Sequence, residues 1–425
     1  MDALPRVTAS RQLALTLLLA AVIAATYGFG VYLFPVVLPA MKHDLGFGYA
    51  QAGYITAARQ IANVLVALLS GLAASRFGAA RVMLGATALS AAGLACLAFA
   101  DHTWVMGVVL VALNAFAAAT WVPMMALVAP LIDERHQAKA IGVIGSGTNY
   151  GVLLNGLMVP GLMAAWGWRS VWLVSALFTA LLSVVILLMF ARFARLGRPE
   201  TRVKAQPGVK GPRFAARTLF SRRWQLVYAI ALLSGFAGVP FITYFSAYAH
   251  DDLHLGLDVT AHAWALVGFV GAVSGLTLGM IGDARSSASQ PQRDGMRTAL
   301  VSAGILLLCA SLIAASRPGV YALMIAAVAF GFSFFPLFGL LHAYVGKTSE
   351  PALAAIVCGI CEASFGAGGA LGNVLGGLCK SVAGSFQPVY FFAAGASVVA
   401  IALSCFMPGV RRAESTNRCT LADAR

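Results

Sequence analysis

Long apolar runs broken by short polar stretches set the pattern of this chain. Eight runs hold no Asp, Glu, Lys or Arg: Gln12–Met41, Val82–Ala100, Ala140–Trp168, Ser170–Ala191, Trp224–His250, Ala261–Gly282, Thr298–Ser316 and Pro318–Gly346. A helix needs roughly 20 residues to cross a hydrocarbon layer of ~30 Å, and these runs reach that length. A spanning strand would need only ~10 residues of alternating polarity, a pattern not seen here. The runs predict helices over 13–38, 50–74, 81–100, 104–131, 139–164, 170–193, 225–248, 261–282, 298–315, 319–345, 352–378 and 387–408. The first run is too long for a signal core of ~7–15 residues and no clear cleavage site follows, so it reads as the first span.

Composition agrees. The chain is 60% hydrophobic, 10% charged and has a mean hydropathy of +0.85, whereas soluble domains run near a quarter charged. The expected class is an all-α integral membrane protein. Seven cysteines lie mostly inside the predicted helices, which argues against a disulfide framework.

The net charge of +14 is unevenly placed. With the N-terminus in the cytoplasm, about 24 Lys and Arg fall in cytoplasmic tails and loops and about four (Lys42, Arg169, Arg317, Lys380) fall outside. The positive-inside rule then puts both termini in the cytoplasm, in the inner membrane of a bacterium. A basic surface facing anionic lipid accounts for the charge, so no nucleic-acid partner is expected.

The chain divides at a basic stretch rich in turn formers. Residues 1–193 form a first six-helix bundle, 194–224 a cytoplasmic linker, 225–408 a second bundle and 409–425 a tail. The halves echo each other. GLAASRFGAAR at Gly71–Arg81 follows the second helix, and GLTLGMIGDAR at Gly275–Arg285 follows the eighth. Pro123 answers Pro336, and Gly142 and Gly151 answer Gly359 and Gly368. Duplicated helical halves are a feature of secondary transporters, whose sites lie between the halves at mid-membrane.

On these residues the chain resembles the major facilitator superfamily, along nearly its whole length. The family's signature between helices two and three, G-x-x-x-D-R-x-G-R-R-like, is matched by Gly71, Arg76, Gly78 and Arg81. Ser75 replaces the acid, and Ala79 and Ala80 replace basic residues. The second half keeps Gly279, Asp283 and Arg285, and GWR at Gly167–Arg169 is a further family feature. The resemblance implies two pseudosymmetric six-helix bundles that alternate access by rocking. It also implies a cytoplasmic gate at these loop residues, weakened in the first half by Ser75. The alternative for Arg76 and Arg81 is plain anchoring to the membrane surface. In the family, helices one, four, seven and ten line the cavity. By that resemblance Tyr27, Tyr32, Asn114, Trp121, Tyr244, Tyr248 and Phe335 are candidate lining residues, although aromatic residues also serve packing and interfaces.

Two ionisable residues sit deep in predicted helices: Arg59 and Glu362. A charge at the bilayer centre costs at least ~2.5 kcal/mol, so it normally faces a cavity or a partner. Arginine keeps its proton at ordinary pH, and its planar fork suits a carboxylate. Arg59, with neighbouring Gln60 and with Asn63 one turn on, is therefore a candidate binding site for a small organic anion. Its alternative is a structural pairing. Glu362 can shed its charge by taking a proton, which suggests proton coupling, or a partnership with Arg59 in one conformation. A neutral, hydrogen-bonded carboxyl between helices is the alternative. Asn149 and Tyr150, amid Gly145, Gly147, Gly151 and Gly156, suggest a close helix crossing.

Several chemistries find no support. Cys358–Cys361 is a C-x-x-C inside a helix without further metal-spaced ligands, His250, His254 and His262 read as solvated loop residues, and no phosphate-binding loop occurs. No cofactor, metal or enzymatic activity is expected. The expectation is a monomeric proton-coupled carrier of a small organic anion. Efflux of drugs or amphipathic metabolites and a transporter-like sensor are the alternatives.

Overall fold

A computed structural model describes residues 9–195, 216–284 and 295–408 of the protein. The helices are α1 (Ala9–Ile23), α2 (Leu33–Leu45), α3 (Tyr49–Phe77), α4 (Ala79–Ala98), α5 (Thr103–Leu131), α6 (Glu134–Gly145) and α7 (Gly147–Arg195). After the central gap come α8 (Ala216–Leu219), α9 (Arg222–Asp251), α10 (Leu257–Ala284), α11 (Gly295–Ala315), α12 (Val320–Thr348), α13 (Pro351–Ala383) and α14 (Gln387–Cys405). Among the described residues there is no strand.

Among the described residues, eleven helical runs are long and apolar enough to cross a membrane. One of them, Lys139–Ala191, is 53 residues and about 80 Å long at 1.5 Å per residue, more than two crossings' worth. It folds back at Gly167 (φ 74°, ψ 177°), a left-handed conformation that a side chain would strain. The run is thus two spans, giving twelve. The GWR residues fasten this reversal. Trp168 Nε1 donates to Asp44 Oδ2 at 2.7 Å, and Arg169 reaches Asp101 at 2.9 Å and Asp44 at 3.7 Å.

The first span differs from the expected 13–38. It runs on through Leu45 and is interrupted by a π turn at Ala24–Phe29. Gly28 lies inside this turn, and its Cα approaches Gly151 so closely that no Cβ would fit, while Pro35 beyond it has no N–H to donate to the Val31 carbonyl.

Outward faces are apolar. On α7, Leu177, Leu181, Val184 and Leu188 recur at helical spacing and are all more than half exposed, a surface that only lipid suits.

The spans before and after the central gap pack among themselves, and the two sets meet chiefly along α3 with α13 and along α7 with α10. These junctions join the second span to the eleventh and the fifth to the eighth, so they exchange when the two sets are swapped. Both are glycine crossings. Gly53 and Gly377 bring α3 against α13, and a Cβ on Gly377 would lie 2.5 Å from the Tyr49 carbonyl oxygen. Gly156, Gly268 and Gly271 bring α10 against α7, with Asn149 beside Gly271. Small residues permit such approach where no water-driven association operates.

Candidate functional site

Between the two sets lies a cavity of about 590 Å³. Pro35, Thr56, Ile242 and Asn373 close its upper end, and Gly142, Gly279 and Ala343 line its lower part, near the face that carries both described chain ends.

Arg59 sits on its wall and is 4% exposed. What holds it is legible in the backbone. Pro35 has no N–H, so the Val31 carbonyl four residues earlier lacks its helical donor. Arg59 Nη2 supplies that bond at 2.7 Å, with Gly30 O at the limit of 3.5 Å, and the guanidinium lies 5.6 Å from the Phe34 ring centroid. Nε is buried without a partner, and no described carboxylate pairs with the group. A guanidinium has five N–H donors, so most of this one's capacity is unused. Asn114 braces the helix behind it: Nδ2 donates to the Arg59 carbonyl at 2.7 Å, and the Asn114 carbonyl accepts from Asn63 Nδ2 at 3.3 Å.

Glu362, on α13, also lines the cavity and bonds to no described residue. It lies near Tyr27 and Tyr32, and Tyr32 in turn neighbours Arg59. Arg59 and Glu362 therefore share one chamber without an ion pair between them.

Gln60, Asn63, Tyr27, Tyr32, Asn114, Trp121 and Phe335 line the same space. Tyr244 and Tyr248 do not, contrary to expectation. Both are 0% exposed, and their hydroxyls donate to the carbonyls of Asn373 at 2.7 Å and Ala314 at 2.6 Å. Their faces of α9 turn into helix packing, which the family pattern alone cannot resolve. Asn149, read as a packing residue, is at the crossing and also on the cavity wall. Thr56, Thr243, Asn373, Phe334, Phe338 and Phe365 line it without having been singled out. Their only sequence signal is their place on helices two, seven, ten and eleven.

Of the expected gate, Gly71 lies inside the last part of α3, and Arg76, Gly78 and Arg81 stand at the α3–α4 turn. Gly78 takes φ +93°, Ser75 Oγ donates to its own helix at Leu72 O, and Arg76 lies 5.5 Å from the Phe77 ring centroid. Gly279 lines the cavity, whereas the Asp283 side chain and Arg285 lie outside the described residues.

The opposite face carries a polar clamp that charge counting missed. Tyr49 Oη donates to Asp251 Oδ2 at 2.7 Å, Lys42 Nζ lies 3.8 Å from the same carboxylate, and both contacts cross between the two sets. Asp252, with a side chain only 2% exposed, pairs with Lys380 and accepts from Ser385 Oγ at 2.9 Å and Phe386 N at 2.6 Å. Phe386 then packs against Tyr49 and Tyr244, each with centroids 4.9 Å apart. His250 bonds Asp251 and remains exposed, and no described cluster could hold a metal ion. One face is closed and the other open.

Residues 20–293 match the profile described as Major Facilitator Superfamily. The chain is 28% identical over 297 residues to a gallate transporter of Pseudomonas putida, covering 64% of this chain and 66% of that one. It is 23% identical over 388 residues to a hexuronate transporter of Bacillus subtilis, covering 86% and 87%. A crystal structure of the nucleoside transporter NupG superposes with a TM-score of 0.70 at 18% identity, over 92% of this chain and 99% of that one.

Proposed function

The chain belongs to the major facilitator superfamily, and on that premise we propose that it is a secondary transporter that carries a small organic anion together with protons. The observation that bears the most weight is Arg59, a buried guanidinium on a cavity wall whose one short bond among the described residues goes to a proline-orphaned carbonyl. A fixed positive charge with unused donors in a low-dielectric chamber favours a carboxylate ligand, to which it offers charge-assisted bonds. The relatives named for gallate and hexuronate, both carboxylates, support the same class of substrate.

In this reading Glu362 takes the proton. It shares the chamber with the substrate site but makes no bond to a described residue that would hold it in one charge state. The two bundles, residues 1–193 and 225–408, rock about the α3–α13 and α7–α10 crossings, and 194–224 tethers them. Gly71, Arg76, Gly78, Arg81, Gly279, Asp283 and Arg285 close the open end in the alternate state. With both termini in the cytoplasm of a bacterial inner-membrane protein, the conformation described is inward-open. The protein works as a monomer.

Uptake into proteoliposomes tests this. Arg59→Ala is expected to abolish transport of anions, since truncating a charge-assisted contact costs several kcal/mol. Normal affinity in that variant would refute the site. Glu362→Gln is expected to keep exchange across the membrane but lose accumulation driven by a pH gradient. Accumulation at the wild-type level would remove the proton role.

A further inference from the structure

The cavity has two unlike walls. All four phenylalanines that line it, Phe334, Phe335, Phe338 and Phe365, come from α12 and α13 of the second set. The guanidinium and every lining amide except Asn373 come from the first set, on α3, α5 and α7, together with Tyr27, Tyr32 and Trp121, while Glu362 stands on the second-set side. Among the described residues no second Lys, Arg or His lines the space.

The phenyl wall is one connected cluster. Phe334 meets Phe335 edge-on at 5.4 Å, Phe338 lies 4.8 Å from Phe365, and Phe334 lies 6.0 Å from Phe365. Phe335 also reaches across the cavity to Tyr32, with centroids 5.8 Å apart, and Tyr32 and Arg59 line the same chamber. The charge and the rings therefore face one space.

We propose that the anion taken by this cavity is an aromatic monocarboxylate, its carboxylate on Arg59 and its ring against Phe335 and the phenyl cluster behind it. The proposal rests on the organic-anion reading above and narrows it. One guanidinium neutralises one carboxylate, and a second would enter without a partner. Aromatic rings attract the edges and faces of other rings beyond simple burial, which a saturated ring cannot match. A sugar acid would bring hydroxyls around its whole rim, and those facing the phenyl rings rather than Glu362 or Thr243 would lose water without gaining a partner. The flat ring also has no rotors to freeze on binding.

The test is calorimetric binding to the full-length protein in lipid nanodiscs, with benzoate, cyclohexanecarboxylate, glucuronate and neutral benzamide as probes. Benzoate is expected to bind roughly tenfold tighter than cyclohexanecarboxylate, with glucuronate weaker still. Phe335→Leu, which keeps an apolar side chain in place, is expected to lower benzoate affinity several-fold more than cyclohexanecarboxylate affinity and so erase the preference for benzoate. If that variant fails to fold, the wild-type ranking decides alone. Benzoate binding no tighter than cyclohexanecarboxylate, or glucuronate binding best, overturns the aromatic class while the organic-anion reading stands. Binding of benzamide without any carboxylate, or of none of the four probes, overturns both.

Discussion

Glycines at the two ends of the cavity do opposite things. At the closed end and the crossings they are spoken for: a Cβ on Gly53 would lie 2.7 Å from the Asn373 carbonyl oxygen, and one on Gly377 2.5 Å from that of Tyr49. At the open end Gly142, Gly275, Gly279 and Gly339 line the cavity, yet a Cβ on any of them would meet nothing within 4 Å. Glycine in a helix costs about 1 kcal/mol against alanine. Nothing in this conformation returns that cost at the open end. A conformation in which the open end shuts would return it, because the walls could then approach as closely as they do at the crossings. In the proposed alternation, the closed end displays the contacts of one state, and the open end the clearance that the other would need.

The largest way to break this contrast is at the clamp. Phe386→Ala removes a ring that is 0% exposed and wedged between Tyr49 and Tyr244, and about 3–5 kcal/mol of stability is expected to go with it. Thermal unfolding in detergent measures the loss, and an unchanged midpoint would show that the ring bears no weight. Tyr49→Phe deletes one charge-assisted bond between the two sets, worth about 1.5–3 kcal/mol. It is expected to open the closed face more often, so a thiol introduced by Asn373→Cys becomes several times more reactive toward an impermeant reagent from that side. Equal labelling with and without the Tyr49 hydroxyl would mean that the clamp does not hold the state. The smallest effect sharpens the comparison. Gly279→Ala has room for its methyl here, so stability is expected to stay within about 0.5 kcal/mol or rise. Transport is nonetheless expected to slow. Full transport in a Gly279→Leu protein would refute the idea that the empty space is used.

How much of this could be read from the chain follows from which forces act locally. Runs without charge report the medium around a helix, so the spans, and Arg59 and Glu362 as the two charges within them, were readable from residue order. The Pro35 lesion in the first span was present in the sequence, but its partner, Arg59, is 24 residues further on in another helix. The clamp was hidden for a stronger reason. Tyr49 and Asp251 are 202 residues apart, and Asp252 looks like one more loop acid until Lys380, Ser385 and Phe386 are seen around it. Tyr244 and Tyr248 show the same limit from the other side: their helix was correctly found, but a few tens of degrees of rotation decide whether a ring faces the cavity or the helices behind it.

The missing amide hydrogen of Pro35 has one more effect. Because the Val31 oxygen has no competing donor among the described residues, it parks the guanidinium in one place, and in the proposed site an incoming acid would find it already oriented, with much of the ordering done before the ligand arrives. A ring that bears neither charge nor donor would thereby set how tightly its charged neighbour can grip, and restoring an ordinary peptide N–H at residue 35 is expected to slacken that grip without touching a single atom of Arg59.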